Sequence, residues 1–493
     1  MQKHSGTITR HHRAALAALA GAQFTVMLAT SIVNVALPQI RAGVGLSDSG
    51  TTWVVNAYGL AFGALLLAGG RATDLLGGRR VLLAGLGLFG AASLTAGLAG
   101  TPELLIAARA LQGLGAAAVA PAALALLMEL FPPGPGRGKA LGVWGAVSGA
   151  GGAAGVLLGG ALTQAWGWPW IFHAVAGGTW LVLGGVAVAV PAVLPSGGEP
   201  STPSGREPRR RDRFDLPGTA SVTLALTALV WGLTGARRSG WADTQVLGAL
   251  ALAVVLLVAF VLIERRHPHP LLPPRLFTEA RVGAGNALMA LLGSVWIALF
   301  FFLPLHQQQV LGASPLVTGL GQLPPAGAIM LGSALAPRIA RRAGPTATVT
   351  AALLVEAGGL LWLARISADG SYAADILGPS LLIGFGLSIA FVQLTALSVE
   401  GVPRTDAGLA GGLVNTTRQM GGAIGLAVLA TVAGSVTAHA ENSGRPHVEA
   451  LTAGYGTAFG ISAAVLIVTA ALALILARRA SRRPLPVPLT HTS

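Results

Sequence analysis

Long apolar segments recur along the whole chain of 493 residues, and they constrain its fold more than any other feature. An apolar stretch of about 20 residues is long enough to cross the hydrocarbon core of a bilayer as a helix. Charged residues make up only 10% of the sequence, whereas a soluble globular protein carries roughly 25%. The chain lacks the charged surface of a soluble protein, and its apolar content excludes a disordered one. We expect an all-α integral membrane protein.

Fourteen segments are predicted as membrane spans by their length and apolar content. The first is too long for a signal peptide, and no convincing small-residue cleavage site follows it. Pro324 and Pro325 interrupt the tenth segment. In chain order the predicted spans are 14–37, 51–69, 81–100, 104–130, 140–163, 171–190, 216–236, 246–263, 282–305, 316–336, 346–364, 373–397, 407–436 and 455–477.

The spacing of these spans predicts two six-helix bundles around a central helix pair. The linker between the first bundle and the pair is rich in Pro, Gly, Ser and Arg, which is typical of a flexible, solvated segment. Its Arg209–Arg211 run either contacts anionic lipid headgroups or only sets the orientation of the chain. The predicted limits are 1–190 for the N-terminal bundle, 191–215 for the cytoplasmic linker, 216–281 for the central pair and its following loop, 282–477 for the C-terminal bundle and 478–493 for a cytoplasmic tail.

Basic residues are distributed as the orientation of a multi-pass protein requires. The net charge is +14. An even number of spans puts both termini on the same side of the membrane, and most of the 32 Lys and Arg residues lie on the loops of that side. Such loops face the cytoplasm, so we expect a plasma (inner) membrane protein with both termini cytoplasmic. Because the charges form short clusters between apolar runs rather than one basic face, we expect no nucleic-acid partner.

The residue types that metal and cofactor chemistry need are missing or misplaced. The chain has no Cys, which excludes disulfides and thiolate metal sites. GLGLFG at 85–90 resembles a dinucleotide-binding loop in its letters only, because it lies in a predicted span with no strand before it. The spans contain no pairing of a nucleophile with a base. We therefore expect no metal, no cofactor, no use of ATP and no enzymatic activity.

Two arginines lie inside predicted spans, where a charge is costly and either lines a cavity or pairs inside the bundle. Arg109 lies in the fourth span, and Gln112 follows on the same helix face. Arg418 lies near the middle of the thirteenth span. Its face also contains Gly408, Gly411, Asn415, Gly422 and Gly425.

Three further titratable residues leave two interpretations open. Glu356 lies in the middle of the eleventh span and either carries a proton or bonds a neighbouring helix. His173 and His306 lie near span ends and are either packing residues or parts of a proton relay.

Two glycine-containing segments are candidates for moving parts. GRATDLLGGRR at 70–80 is either a clamp that charge pairing closes and releases, or a plain basic turn. In the fifth span Gly151, Gly155 and Gly159 recur at every fourth position. This spacing either packs two helices closely or forms a surface along which two halves rock.

Taken in chain order, these segments resemble the major facilitator superfamily, and within it the fourteen-helix drug:proton antiporter branch. The resemblance implies the major facilitator fold with 14 transmembrane helices, a cavity between the bundles and alternating access. It also implies export of small amphipathic molecules against inward proton flow. The matching segments are SIVNVALP at 31–38, WVVNAYGL at 53–60, GRATDLLGGRR at 70–80, ARALQGLGAAA at 108–118, GVLLGG at 155–160, QQVLGASPLVTGLGQLP at 308–324 and GLAGGLVNTTRQMGGAIG at 408–425.

The resemblance, together with the polar residues inside spans, assigns three groups of candidate residues. The substrate or proton pathway comprises Asn34, Asn56, Tyr58, Arg109, Gln112, Gln308, Glu356, Gln393, Asn415 and Arg418. The inner gate comprises Gly70, Asp74, Gly77, Arg79 and Arg80. The antiporter seam comprises Gly151, Gly155, Gly159 and Gly160.

The sequence also departs from the branch. The first span has Ala29 where the branch often has an acid that can carry a proton. Proton coupling would then use Glu356, a gate acid such as Asp74, or a proton on the substrate. The other departures are Gly78 for a basic residue, Val156 for a proline, and Val175 and Gly177 for an asparagine and a proline.

Two functions remain open at this stage. One is a monomeric, proton-coupled exporter of a hydrophobic or natural-product-like molecule such as an antibiotic. The other is an exporter of an endogenous amino acid, peptide or siderophore, which the missing acid favours. A receptor is disfavoured because segment 191–215, the longest soluble segment, is too short for a folded effector domain.

Overall fold

A computed structural model describes residues 10–131, 135–190, 215–267, 280–398 and 407–481. Within these ranges the chain is almost entirely helical and contains no strand, which confirms the predicted all-α class. A π-helical turn, Tyr372–Leu377, precedes α13. The helices are α1 Arg10–Val44, α2 Asp48–Leu76, α3 Gly78–Gly97, α4 Pro102–Leu130, α5 Pro135–Trp166, α6 Pro169–Ala189, α7 Leu216–Ser239, α8 Thr244–Arg266, α9 Ala280–Gln309, α10 Pro315–Gly321, α11 Leu323–Ala343, α12 Pro345–Leu363, α13 Gly378–Ser398, α14 Ala407–Asn442 and α15 His447–Ser481.

Short capped turns connect many of these helices. Ser47 Oγ accepts a hydrogen bond from Gly50 N at 3.1 Å, and Thr101 Oγ1 accepts one from Leu104 N at 3.3 Å. These oxygens satisfy amide groups that have no partner inside the helix. Between α2 and α3 the chain reverses at Gly77, whose φ of 89° favours glycine. The turns therefore set neighbouring helices antiparallel.

Helical residues occupy every one of the fourteen predicted spans. Among the described residues, eleven helices are long and apolar enough to cross a membrane, so the count of fourteen stays a prediction. The tenth predicted span is divided at Gln322 into α10 and α11. Pro324 and Pro325 lack the backbone N–H groups that would continue the helix of α10. The structure describes no residue from 191 to 214. The predicted linker up to that point, with its Arg209–Arg211 run, therefore lies outside the described residues.

Most of the helix pairs with extensive contact lie within one half of the chain. In the first half α1 packs on α5, α2 on α4, and α3 on α4 and α6. In the second half α9 packs on α14, α11 on α13, and α12 on α13 and α15. Glycines permit the closest crossings, because a Cβ at Gly113 of α4 would overlap the Tyr58 carbonyl oxygen of α2. The assigned limits of the two bundles stay a proposal.

The central pair, α7 and α8, lies against one side of both halves. α7 packs on α8, α2 and α14. Its residues share a buried apolar cluster with both halves, formed by Leu60, Ala64, Val222, Leu226, Val230, Ala423 and Ala427. Thr431 Oγ1 of α14 also lies 3.0 Å from the Leu233 carbonyl oxygen of α7. In contrast, α8 leaves valines such as Val254 and Val255 exposed, as a lipid-facing helix does.

We expect Gly113→Ala to destabilise the N-terminal bundle, because the added methyl group has no room between α4 and α2. Overpacking of this kind costs roughly 1–3 kcal/mol. The matched control is Gly184→Ala in α6, where a Cβ meets nothing within 4 Å. Thermal unfolding of the purified variants in detergent should show a lower Tm for Gly113→Ala only. Equal Tm values for the two variants would contradict the close crossing of α2 and α4.

Candidate functional site

Arg109 lies inside the N-terminal bundle and is only 1% exposed. Its Nε donates a hydrogen bond to the Val54 carbonyl oxygen at 3.0 Å, and its Cζ lies 4.4 Å from the centre of the Tyr58 ring. Its Nη1 donates to Gln112 Oε1, and Gln112 Nε2 donates to Ser93 Oγ at 2.7 Å. Arg109 thus ties α4 to α2, Gln112 ties α4 to α3, and the structure brings three predicted pathway residues together.

Tyr58 extends this cluster to α1. Its hydroxyl donates to the Val26 carbonyl oxygen at 3.3 Å and lies 3.2 Å from Thr30 Oγ1. The preceding residue, Ala29, is buried. Within the described residues no carboxylate forms an ion pair with Arg109. A carbonyl, an amide and a ring face compensate its charge instead.

Arg418 occupies a comparable place in the C-terminal bundle. Its Nη2 donates to Asn415 Oδ1 at 2.8 Å, as expected for two residues on one helix face. Its Cζ lies 5.1 Å from the Trp296 ring and 5.9 Å from the Phe391 ring. Its buried Nε has no hydrogen-bond partner. Each half thus has an arginine over an aromatic ring, close to helices that meet the other half.

The remaining pathway residues are dispersed. Gln393 Nε2 donates to the Ala336 carbonyl oxygen at 3.3 Å and ties α13 to α11. Asn56 is buried in α2, and neither of its amide atoms has a hydrogen-bond partner. Asn34 is half-buried in α1. These contacts give Gln393 a packing role and leave Asn56 with unused hydrogen-bonding capacity.

Glu356 lies in the interior of the C-terminal bundle, where α12 crosses α13. It is fully buried, and neither carboxyl oxygen has a hydrogen-bond partner. A Cβ at Gly386 of α13 would lie 2.9 Å from the Glu356 Cβ, which shows how closely the helices approach. Among the described contacts, none joins Glu356 to Arg109 or Arg418.

Arg79 of the predicted inner gate binds the end of α6. Its Nε donates to the Val190 carbonyl oxygen at 2.8 Å, and its Nη2 donates to the Ala187 carbonyl oxygen at 2.9 Å. The last carbonyls of a helix have no intrahelical partner and attract a cation. Arg79 therefore holds α3 against α6 within its own bundle through two carbonyl groups.

The other gate residues surround the α2–α3 turn. Gly77 forms the turn, and Arg80 is exposed. A Cβ at Gly70 would lie 3.9 Å from the Pro121 Cβ, so a small side chain would fit there. The side chain of Asp74 lies outside the described part of the chain. The structure thus describes this region as a turn whose Arg79 caps a helix.

Arg137 has the same role at α4, and sequence reasoning missed it. Its Nε donates to the Phe131 carbonyl oxygen and its Nη2 to the Met128 carbonyl oxygen, both at 2.7 Å. The signal in the sequence is a basic residue shortly after the end of an apolar segment, a pattern that also serves as a topology signal.

Three of the four predicted seam glycines pack α5 on α1 inside the N-terminal bundle. A Cβ at Gly151 would lie 2.9 Å from the Phe24 carbonyl oxygen, and one at Gly155 would lie 2.7 Å from the Leu28 carbonyl oxygen. Gly159 approaches the Ile32 carbonyl oxygen. The four-residue spacing places these glycines on one face, and that face contacts a neighbour in the same half.

Gly160 is different, because its face of α5 meets the other half. A Cβ at Gly160 would overlap the Pro315 carbonyl oxygen of α10. Leu316 N also donates to Gln164 Oε1 at 3.2 Å.

We call the end of the bundles where α1 ends and α2 begins the distal end, and the opposite end the terminal end. The α5–α10 contact joins the halves at the distal end.

Gln308 makes a second distal connection between the halves. Its Nε2 donates to the Val35 carbonyl oxygen of α1 at 2.7 Å. We name this bond, together with the α5–α10 contact, the distal seal. Beside it, a cavity of about 510 Å³ lies between α1 and α2 of one half and α9, α14 and α15 of the other, with Arg41, Gln309, Glu441 and Tyr455 in its wall.

Two helical bundles, each with an arginine that lies over an aromatic ring, and a cavity between them have the architecture of a transport protein. Among the described residues no group of His, Asp and Glu side chains is arranged to hold a metal ion. What this arrangement can do chemically is bind a small molecule between the halves and expose it to one end at a time.

Comparison with known proteins identifies the family. The Major Facilitator Superfamily profile matches residues 19–426. The chain is 40% identical to the cephamycin export protein CmcT of Amycolatopsis lactamdurans, over 96% of this chain and 93% of that protein. It is 40% identical to the puromycin resistance protein pur8 of Streptomyces alboniger, over 94% of this chain and 90% of that protein. The chain therefore belongs to the major facilitator superfamily and is a membrane transporter, not an enzyme.

Solved structures show the same fold. A crystal structure of an auto-inhibited POT family peptide transporter superposes with a TM-score of 0.70, covering 97% of this chain and 99% of that chain. The two sequences are only 15% identical, so this likeness concerns the fold alone. It confirms the major facilitator fold that the ordered sequence motifs predict.

We expect Gly160→Ala to open the distal seal, because its methyl group would overlap the backbone of α10. A cost of roughly 1–3 kcal/mol corresponds to about 5- to 150-fold fewer molecules with a closed seal. Since the chain has no Cys, a Gln164→Cys, Leu316→Cys pair can report closure by its rate of disulfide formation. That rate should fall in Gly160→Ala but not in Gly152→Ala, where a Cβ meets nothing within 4 Å. Equal rates would exclude this role of Gly160.

Proposed function

We propose that this transporter exports a natural-product antibiotic or a similar small amphipathic molecule by alternating access, in exchange for protons. The observation that supports this most directly is the likeness, over nearly the full length of the chain, to a cephamycin export protein and a puromycin resistance protein. Cephamycin and puromycin are chemically different, so this likeness supports a class of substrates rather than one compound.

In this proposal the substrate enters from the terminal end and leaves from the distal end. Export requires the distal seal to open while the terminal ends of the two halves approach each other. The seal contains two hydrogen bonds, from Gln308 to Val35 and from Leu316 N to Gln164, beside the close contact of Gly160 with Pro315. A bound molecule that prefers the conformation without these contacts would shift the equilibrium between the two conformations.

Arg109 is the residue that we expect to respond to substrate. Its charge has no carboxylate partner among the described residues, and it contacts α2 through Val54 and Tyr58 and its own helix through Gln112. An anionic or carbonyl group of a bound substrate would further compensate the positive charge of Arg109. Arg418, whose Nε has no partner, offers the same chemistry in the other half.

Export of an endogenous metabolite such as an amino acid, peptide or siderophore is the alternative. Ala29 favours it, because the acid of the drug-exporting branch is missing from this position. Metabolite profiling of the medium of a deletion strain separates the two functions. Loss of an amino acid, peptide or siderophore from the medium, without sensitivity to antibiotics, would establish the alternative.

We also propose that the protein is a monomer in the plasma membrane with both termini in the cytoplasm. The orientation is supported by the basic residues at the terminal end, such as Arg71 near the end of α2 and Arg79 and Arg80 at the start of α3. This orientation places the distal seal on the outer side and the Arg79 cap on the cytoplasmic side.

Transport by inside-out proteoliposomes tests the proposal. With an acidic lumen, we expect uptake of cephamycin, puromycin or a related compound, because protons leave as substrate enters. Arg109→Ala should abolish this uptake, since it removes the charge and the bonds to Val54 and Gln112. A size-exclusion profile like that of the wild type shows that the variant is folded, and Arg109→Lys supplies a second variant that retains the charge.

Glu356→Gln is the matched control in the same experiment. Gln has nearly the same shape as Glu, and the described contacts of Glu356 are internal to the C-terminal bundle, so uptake should still follow the pH gradient. If wild-type uptake of every compound in a broad panel ignored the gradient, proton antiport would be excluded. If Glu356→Gln alone lost gradient dependence, Glu356 would be the proton carrier.

A further inference from the structure

The cavity of about 510 Å³ beside the distal seal, which we call the distal cavity, has the size of a small-molecule site. Pockets that bind drug-sized ligands measure roughly 300–1,000 Å³. None of the ten residues predicted for the substrate or proton pathway lies in its wall. The distal cavity is therefore large enough for a ligand and is a different place from the surroundings of Arg109 and Arg418.

Three aromatic side chains form much of the apolar wall of the distal cavity. Phe301 and Phe302 of α9 meet edge-on with 5.2 Å between their ring centres, and Phe302 lies 5.6 Å from the ring centre of Tyr455 in α15. All three side chains are buried, so packing holds them in place. Because such rings attract other aromatic and apolar groups, this wall favours a ligand with an aromatic or apolar body.

Gln309 adds an oriented hydrogen-bond donor to this wall. Its Oε1 accepts a hydrogen bond from Tyr455 Oη at 2.6 Å, which fixes the position of the side-chain amide. No described residue accepts a hydrogen bond from Gln309 Nε2. An amide nitrogen has two hydrogens and no acceptor capacity, so Gln309 Nε2 suits a carbonyl or carboxylate oxygen of a ligand.

The charged side chains of the wall favour the same kind of ligand group. The Glu441 carboxylate is already joined to His447 Nδ1 by a hydrogen bond. Arg41 lies in the last turn of α1 and is exposed. Its guanidinium has five N–H donors, so it can bind a ligand oxygen in addition to its contacts within the protein. A carboxylate receives the strongest hydrogen bonds from such a group.

The distal cavity is connected to the distal seal through α1 and α9. Its wall includes Leu37 and Arg41 of α1 and Gln309 of α9, whereas the seal bond joins Val35 of α1 to Gln308 of α9. Opening the distal end moves these helices apart and separates the two walls of the cavity. A molecule that contacts both walls therefore binds best while the seal is closed.

We propose that the distal cavity is a second binding site, for an amphipathic molecule with an aromatic or apolar body and a carboxylate or carbonyl group, and that its occupant holds the distal seal closed. The effect on the seal rests on the alternating access proposed above. A molecule present on the distal side then slows its own export, because the conformation that it stabilises is the one with the exit closed.

Fluorescence titration of the full-length chain in detergent with dansyl-phenylalanine tests the site. This aromatic carboxylate emits more strongly in apolar surroundings. Ala438→Trp places a ring in the cavity from an exposed position, and it should raise the Kd roughly tenfold or more. Arg41→Ala and Gln309→Leu each remove a donor from the wall, and each should raise the Kd roughly three- to tenfold.

Ala453→Trp is the matched control, because Ala453 lines another cavity that the C-terminal half forms alone. It should keep the wild-type Kd. Equal Kd values for the wild type and Ala438→Trp, or equal losses in the two tryptophan variants, would overturn the site. Displacement of the dye by palmitate but not by unlabelled N-benzoyl-phenylalanine would assign the cavity to a lipid chain and overturn the proposed ligand class.

The Gln164→Cys, Leu316→Cys pair tests the effect on the seal, in the Gly160→Ala background where fewer molecules are sealed. At ten times its Kd, a ligand specific for the sealed form raises the ratio of sealed to open molecules about elevenfold. Dansyl-phenylalanine should therefore speed disulfide formation up to about elevenfold, and Ala438→Trp should remove this effect. Binding without any change in rate would overturn control of the seal. Wild-type protein that binds the dye but transports nothing would overturn the proposed export and leave the site intact.

Discussion

The absence of water from the bilayer core is the constraint on which the rest of the structure depends. Every backbone N–H and C=O group must find a partner within the protein, which leaves helices as the solution for this chain. The same constraint governs the buried side chains. Arg109 rests on a carbonyl, an amide and a ring, and Arg79 and Arg137 occupy the carbonyls at the ends of α6 and α4. Charge is thus used to join helices.

Sequence periodicity predicted the helices well, because apolar length determines them directly. It also identified Arg109 with Gln112 and Arg418 with Asn415 as pairs, since three residues along a helix is a fixed geometry. It could not predict which neighbour a helix face meets, because rotation about the helix axis depends on tertiary packing. For this reason Gly155 was assigned to a seam between halves, whereas it packs on α1 within one half.

The distal end also contains contacts that the sequence could not predict. Gln308 was a candidate from the resemblance alone, and the structure gives it a bond to Val35 across the two halves. His306 lies two residues before it and looked like one of two equivalent histidines in the sequence. Only tertiary structure shows that His306 is fully buried with no hydrogen-bond partner on either ring nitrogen, whereas His173 packs against Trp170.

Alternating access is the central claim, and thiol labelling of single-cysteine variants tests it most directly, since the chain has no Cys. Thr437→Cys reports on the distal cavity, and Ala146→Cys reports on the exposed terminal half of α5. Adding a transported compound should raise one of these labelling rates and lower the other. Rates that rise together, fall together or stay constant would contradict alternating access.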